Sequence, residues 1–136
     1  MRDRSEAPVL FVVDDDLTTL ELLRDVARAS GWTSVGFTRL ATLRAALDFR
    51  LPTLLIIDDD LPDGRGGDLA RDLRADPRMD GVPLLVCTAA PSNRLAEIGS
   101  WAPVVSKPFG LGEIEEVLAA AVRRDGDGQA YGGTAG

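Results

Sequence analysis

Runs of apolar residues alternate along the chain with segments whose apolar positions recur every three or four residues, which predicts strands and helices in turn. "VLFVV" (Val9 to Val13) is apolar throughout, as a strand buried on both faces must be. Behind it Leu17, Leu20, Leu23, Val26 and Ala27 keep helical spacing, with Asp16 placed as the N-cap and Gly31 as the stop. "TSVGF" (Thr33 to Phe37) reads as a weaker second strand, and Thr38 as the cap of a helix carrying Leu40, Leu43, Ala46 and Leu47. "TLLII" (Thr53 to Ile57) is again apolar on both faces and belongs at the centre of a sheet. A short helix with Leu69, Ala70 and Leu73 inward ends before Pro77. "PLLVC" (Pro83 to Cys87) supplies a fourth strand, and "TAAPSNRLAEIGSWAP" holds at most a brief helix around Arg94 to Ile98. The short "VVS" (Val104 to Ser106) is a fifth strand, and a last helix presents Ile114, Val117, Leu118, Ala121 and Val122. Strands alternating with helices predict an α/β fold, a parallel sheet covered on both faces.

At 136 residues and 45% hydrophobic content, the chain can build one core and has no room for a second full domain. The glycine-rich stretch from Asp125 to Gly136 suits a flexible tail, leaving residues 1–124 as the domain. A net charge of −7 opposes the phosphate contacts that dominate nucleic-acid affinity, so direct DNA binding is not expected. No apolar run approaches the roughly 18 to 20 residues that span a bilayer, and "MRDRSEAP" lacks the apolar core of a signal peptide. A cytoplasmic protein without membrane contact is the expectation. The single cysteine, Cys87, lies in an apolar run and belongs to the core, as Trp32 and Trp101 do. Without a histidine in the chain, zinc sites and histidine-based triads nearly drop out.

In an open parallel sheet, ligands bind beyond the carboxyl ends of the strands. Here the first strand ends in Asp14, Asp15 and Asp16, the third in Asp58, Asp59 and Asp60, the fourth in Thr88, and the fifth in Ser106, Lys107 and Pro108. Two like charges about 4 Å apart repel by about 4 kcal/mol at an effective dielectric of 20, so such a cluster needs compensation. A hard divalent cation provides it. Mg²⁺ takes one or two carboxylates with a carbonyl and waters, and then favours a phosphoryl oxygen. One carboxylate could also act as a nucleophile, giving an aspartyl phosphate stabilised by metal, lysine and hydroxyl together. A lone aspartate pair after a strand more often caps the next helix, but two triplets facing a lysine and a threonine reverse that weighting. Asp59, in the middle of its triplet, reads as solvated. Residues Asp63 to Gly67 read as a tight turn, and a lysine-proline step after a strand as a fixed peptide, a candidate for cis, that aims Lys107.

Taken together, "VVDDD", "IIDDDLPDGRGG", "CTAA" and "SKPF" resemble, in order and spacing, the receiver domain of two-component response regulators, over Val9 to Arg123. The resemblance implies a flavodoxin-like, doubly wound sheet of strand order 2-1-3-4-5 with five helices, the fourth short or irregular. It implies a phosphoacceptor four residues before Pro62, which is Asp58. It further implies Asp14 and Asp15 as the acidic pair at Mg²⁺, Asp60 as a backbone carbonyl ligand, Thr88 as the switch hydroxyl and Lys107 as the phosphate-binding lysine. Gly66 fits the glycine of the following turn. The implied partners are a histidine kinase or histidine phosphotransfer protein and a downstream protein target, with a homodimer left open. Chemistry is confined to the chain's own phosphorylation and dephosphorylation, and the Asp60 side chain is expected to modulate phosphoryl turnover.

Two positions depart from the family pattern. An aromatic residue usually stands three before the lysine and reports phosphorylation, whereas here that position is Val104. The stretch from Thr88 to Lys107 is also shorter than usual, with Pro91 early in it. Both features slightly favour a rival reading, a degenerate receiver that binds partners without phosphorylation, against which the intact set of Asp14, Asp15, Asp58, Thr88 and Lys107 argues. A second rival is a small phosphohydrolase of the haloacid dehalogenase type, for which Asp58 to Asp60 satisfies a D-x-D pattern. Its second acidic pair would come late in the chain, whereas here it comes first. A plain nucleotide-binding domain is disfavoured because no glycine-rich loop follows the first strand.

Overall fold

The apolar runs pair side by side, and the periodic segments cover them. The computed structural model describes residues 6–127. Along it run β1 (Val9–Val13), α1 (Leu17–Ala29), β2 (Thr33–Phe37), α2 (Leu40–Leu47), β3 (Leu54–Asp58), β4 (Asp60–Leu61), β5 (Gly64–Arg65), α3 (Gly66–Arg74), β6 (Leu84–Thr88), α4 (Ser92–Gly99), β7 (Val104–Ser106) and α5 (Leu111–Asp127). Five strands form one sheet in the order β2-β1-β3-β6-β7, every pair parallel. Counted among themselves these strands have the order 2-1-3-4-5 expected of a flavodoxin-like sheet. The turn predicted at Asp63 to Gly67 becomes a small antiparallel hairpin, β4 against β5, leading into α3. The glycine-rich tail expected from Asp125 lies outside the described residues from position 128 onward.

Alternation along the strands sorts the core into two layers. Leu10, Val12, Leu54, Ile56, Leu85 and Cys87 face α1 and α5, meeting Leu23, Ala27, Ile114 and Leu118. Phe11, Val13, Leu55, Ile57 and Val86 face α2, α3 and α4, meeting Leu43, Leu69 and Ile98. Each fully buried Leu or Ile contributes about 1.5–3 kcal/mol relative to an exposed one, so both layers are needed to hold the sheet. Trp32 and Trp101 pack as expected, Trp101 also donating its indole N–H to the Gly67 carbonyl at 2.8 Å.

Some expectations are corrected at the helix starts and ends. Leu17, read as part of the α1 stripe, is 63% exposed, because it stands at the first turn, beyond the sheet edge it would need to cover. Val122, read into the last helix face, is also exposed. Asp16 caps α1 as predicted, accepting the Thr18 N–H at 3.2 Å. Thr38 does not cap α2. The free amides of Leu40 and Ala41 instead donate to the carboxylate of Asp63 in the hairpin turn, at 2.8 and 2.9 Å. A cap from a distant segment satisfies the same orphan donors and ties the hairpin to α2. Gly31, with φ +86°, ends α1 as predicted.

Candidate functional site

The parallel register brings the carboxyl ends of β1, β3, β6 and β7 together at one edge of the sheet. Asp58 lies beside Cys87, and Thr88 beside Ser106. Asp14 follows β1, its amide donating to the Phe37 carbonyl at 2.9 Å, and Lys107 follows β7, its amide donating to the Thr88 carbonyl at 2.8 Å. Asp14 and Asp58 are buried while Asp15 faces solvent, and one carboxylate oxygen from each lies within 4.8 Å of the other two. Lys107 Nζ reaches into this cluster, 2.8 Å from Asp14 Oδ2 and 3.5 Å from Asp58 Oδ1. The Lys107–Pro108 peptide is cis.

One lysine does not neutralise the cluster. Burial first, and then the charge of Asp14, push the Asp58 pKa up to about 6, against the opposing pull of Lys107. Burial works against the charge on Lys107, yet its hydrogen bond to Asp14 and the two nearby carboxylates hold its pKa above the ordinary range. Three carboxylates within reach of one another, two of them buried, form an oxygen-only donor set of the kind a hard divalent cation takes. Thr88 is buried at the same edge, its Oγ accepting the Ala90 N–H at 3.1 Å. Asp60 is exposed and opens the β4–β5 hairpin opposite Arg65. Cys87 is core, and burial pushes its thiol pKa up to about 12. Val104 is partly buried and packs with the layer beneath α4.

Asp59 contradicts its expectation. Rather than being solvated, it is 2% exposed, because alternation past β3 turns it away from Asp58 and into the layer under α3 and α4. There the Gly67 N–H donates to its Oδ1 at 3.0 Å, and Arg94 of α4 forks onto it, Nε to Oδ2 at 3.0 Å and Nη2 to Oδ1 at 2.8 Å. Arg65 adds an ion pair at 3.6 Å. Burial alone would raise the Asp59 pKa, but the bonds from Arg94 and Gly67 outweigh it and hold the carboxyl below the usual range. Arg94 is itself bound by Asp68 at 3.1 Å and Glu97 at 2.8 Å. Gly66 explains how the hairpin sits so close to the site: a Cβ there would stand 1.9 Å from the Asp58 carbonyl oxygen. Sequence spacing pointed to Gly66 but gave no signal for Arg94, whose partner lies 35 residues away.

The geometry has counterparts among known proteins. The family described as response regulator receiver domain matches residues 10–119. Among curated proteins, the KDP operon transcriptional regulatory protein KdpE of Escherichia coli is 32% identical over 118 residues, 85% of this chain and 51% of that protein. The DNA-binding response regulator MtrA of Mycobacterium tuberculosis is 34% identical over 122 residues, 87% of this chain and 52% of that protein. The chain thus spans about half the length of the curated relatives it matches. A solved putative response regulator from Chloroflexus aurantiacus has a TM-score of 0.77 at 26% identity, covering 87% of this chain and 99% of its own. The signal receiver domain of an HD domain-containing protein from Pseudomonas fluorescens has the same fold, with a TM-score of 0.78 at 18% identity over 93% of this chain and 96% of its own. With the family match running across nearly all of the sheet and its helices, this chain belongs to the response regulator receiver domain family.

Proposed function

We propose that the chain accepts a phosphoryl group on Asp58 from a phosphohistidine of a histidine kinase or phosphotransfer protein, and so switches a protein-binding surface. The observation that carries the reading is the buried Asp58 carboxylate, held 3.5 Å from Lys107 Nζ within a cluster whose negative charge that lysine does not balance. A carboxylate oxygen of Asp58 bonds to phosphorus as the donor's P–N bond breaks, and the imidazole leaves with the electron pair. Lys107 Nζ stands where it can bind an oxygen of the transferred group. Thr88, turning from Ala90, donates its hydroxyl to another. Asp14, Asp15 and Asp58, with the Asp60 backbone carbonyl, are the groups that would hold Mg²⁺, which when bound offsets the charge of the phosphoryl oxygens.

The chain's own chemistry in this reading is limited to gaining and losing that group, and its consequence is a shift between two arrangements of the surface around α4 and β7. The family assignment leaves the phosphohydrolase reading without support. Val104 favours a second reading, a receiver that binds partners without phosphorylation, because the position offers no aromatic ring to swing. DNA binding belongs to the name of a curated relative of which the match spans 52%, and here an acidic chain of net charge −7 is proposed to act on a protein. Among the described residues no helix is long and apolar enough to cross a membrane, which is compatible with a cytoplasmic site of action. Incubation with a labelled small phosphodonor and Mg²⁺ tests the reading. Label is expected on the wild type and absent from Asp58→Asn or after chelation, whereas equal label on Asp58→Asn would overturn it.

A further inference from the structure

Between β6 and α4 the chain has only residues 89–91. Thr88 Oγ accepts the Ala90 N–H within this short link. A hydroxyl that turns toward a phosphoryl group on Asp58 gives up that geometry, so the Ala90 amide, and with it the start of α4 at Ser92, must readjust. One side chain opposes the readjustment. Arg94, in the first turn of α4 and 11% exposed, grips Asp59 through both of its fork nitrogens, and Asp59 is the chain neighbour of Asp58. A planar guanidinium on a carboxylate fixes direction as well as distance, which a lysine does not. Beneath the same helix Val104 is apolar, so the polar tie from α4 toward the end of β3 is the Arg94 fork on Asp59.

We propose that Arg94 is a positioning residue for the phosphoryl chemistry at Asp58: its fork on Asp59 holds α4 in the resting arrangement, and phosphorylation acts by overcoming that hold. The inference rests on Asp58 being the phosphoacceptor. A contact made only in the resting arrangement lowers the affinity for any ligand that favours the other arrangement, and by linkage its removal raises that affinity by the same factor. Cutting the fork therefore both loosens α4 and tightens the binding of a phosphoryl analogue. Asp59 stays tied to Gly67 and Arg65 without Arg94, so the effect is expected at α4 rather than at β3.

The test titrates wild type, Arg94→Met, Arg94→Lys and the double variant Asp59→Asn/Arg94→Met with beryllofluoride in Mg²⁺, and measures amide hydrogen exchange of residues 92–99 without ligand. Arg94→Met is expected to bind beryllofluoride about fivefold or more tighter, the lower end of ordinary coupling between sites, with faster α4 exchange. Arg94→Lys is expected to follow Arg94→Met, since it keeps the charge and loses the fork. The double variant also removes the carboxylate that Arg94→Met leaves buried without its closest cation, and is expected to match Arg94→Met, the non-additivity of groups that act as one unit. It decides the question if the single variant does not fold. Wild-type affinity and wild-type α4 exchange in these variants, or their restoration by lysine, overturns the inference while leaving the phosphoacceptor reading intact. Failure of the wild type to bind beryllofluoride overturns that reading, and this inference with it.

Discussion

Replacing Asp58 by asparagine is expected to stabilise the metal-free protein at neutral pH, although it removes the group proposed to do the chemistry. Asp58 is 5% exposed, and its pKa stands at about 6 in place of 3.8, because burial and Asp14 raise it more than Lys107 lowers it. Between those two values the folded chain binds more protons at this site than the unfolded chain. Stability contributed by the neutral carboxyl is therefore lost as pH rises through the window and stays lost above it. A shift of about two units at about 1.4 kcal/mol each makes the ionised carboxylate cost roughly 3 kcal/mol. Asparagine keeps the shape without the charge, so its advantage is near zero at about pH 4 and levels off above about pH 6.

Urea unfolding with chelator present reads this directly. With a slope of about 1–3 kcal/mol per molar urea, the midpoints of variant and wild type should separate by about 1 M or more at neutral pH. Mg²⁺ should narrow the gap, since an ion bound through Asp58 stabilises only the folded wild type. A gap of equal size at both ends of the pH range, or a variant less stable than wild type at neutral pH, would refute the placing of an uncompensated carboxylate at the end of β3.

Gly66→Ala should cost about 1–3 kcal/mol or more by driving a methyl into the Asp58 carbonyl, whereas Gly81→Ala, where a Cβ meets nothing within 4 Å, should be tolerated in the same urea assay. Asp63→Ala should lower the melting temperature and the amide protection at the start of α2, with Asp63→Asn retaining part of both. The Leu40 and Ala41 amides hold the Asp63 pKa below its usual value, so this stabilisation is present at neutral pH and fades as pH falls through that lowered value. Lys107→Met should slow phosphoryl incorporation while leaving Mg²⁺ binding, followed by calorimetry, equal or tighter. Weaker Mg²⁺ binding would show that the lysine organises the aspartates rather than competing with a cation for them.

What the sequence made legible was local. The strand of Leu54–Asp58 shows itself by consecutive apolar residues, and the aspartates and Thr88 show themselves because they stand directly after such runs, Lys107 because it follows the short strand Val104–Ser106. A parallel sheet then brings all strand ends to one edge, so four separate local signals converge without any long-range inference. What stayed hidden depends on partners far apart in the chain. Asp63 reaches an α2 amide 23 residues away, and Arg94 reaches Asp59 across 35. Nothing near Thr38 says that its capping role has been taken. An aspartate flanked by two others reads as hydrated unless the arginine that neutralises it is known to lie above it. Exposure at helix ends failed for a similar reason: spacing places Leu17 on the α1 stripe, but only the packed structure shows where the sheet beneath that stripe stops.

The central claim is that one particular carboxylate becomes an acyl phosphate. Borohydride reduces an aspartyl phosphate to homoserine and leaves an unmodified carboxylate alone, so trapping after incubation with a small phosphodonor and Mg²⁺, followed by peptide mass mapping, names the acceptor. Homoserine at position 58, dependent on both phosphodonor and Mg²⁺, is the predicted result. Homoserine instead at position 14, 15, 59 or 60, or a stable phosphoryl group on a hydroxyl with position 58 unchanged, would contradict the account.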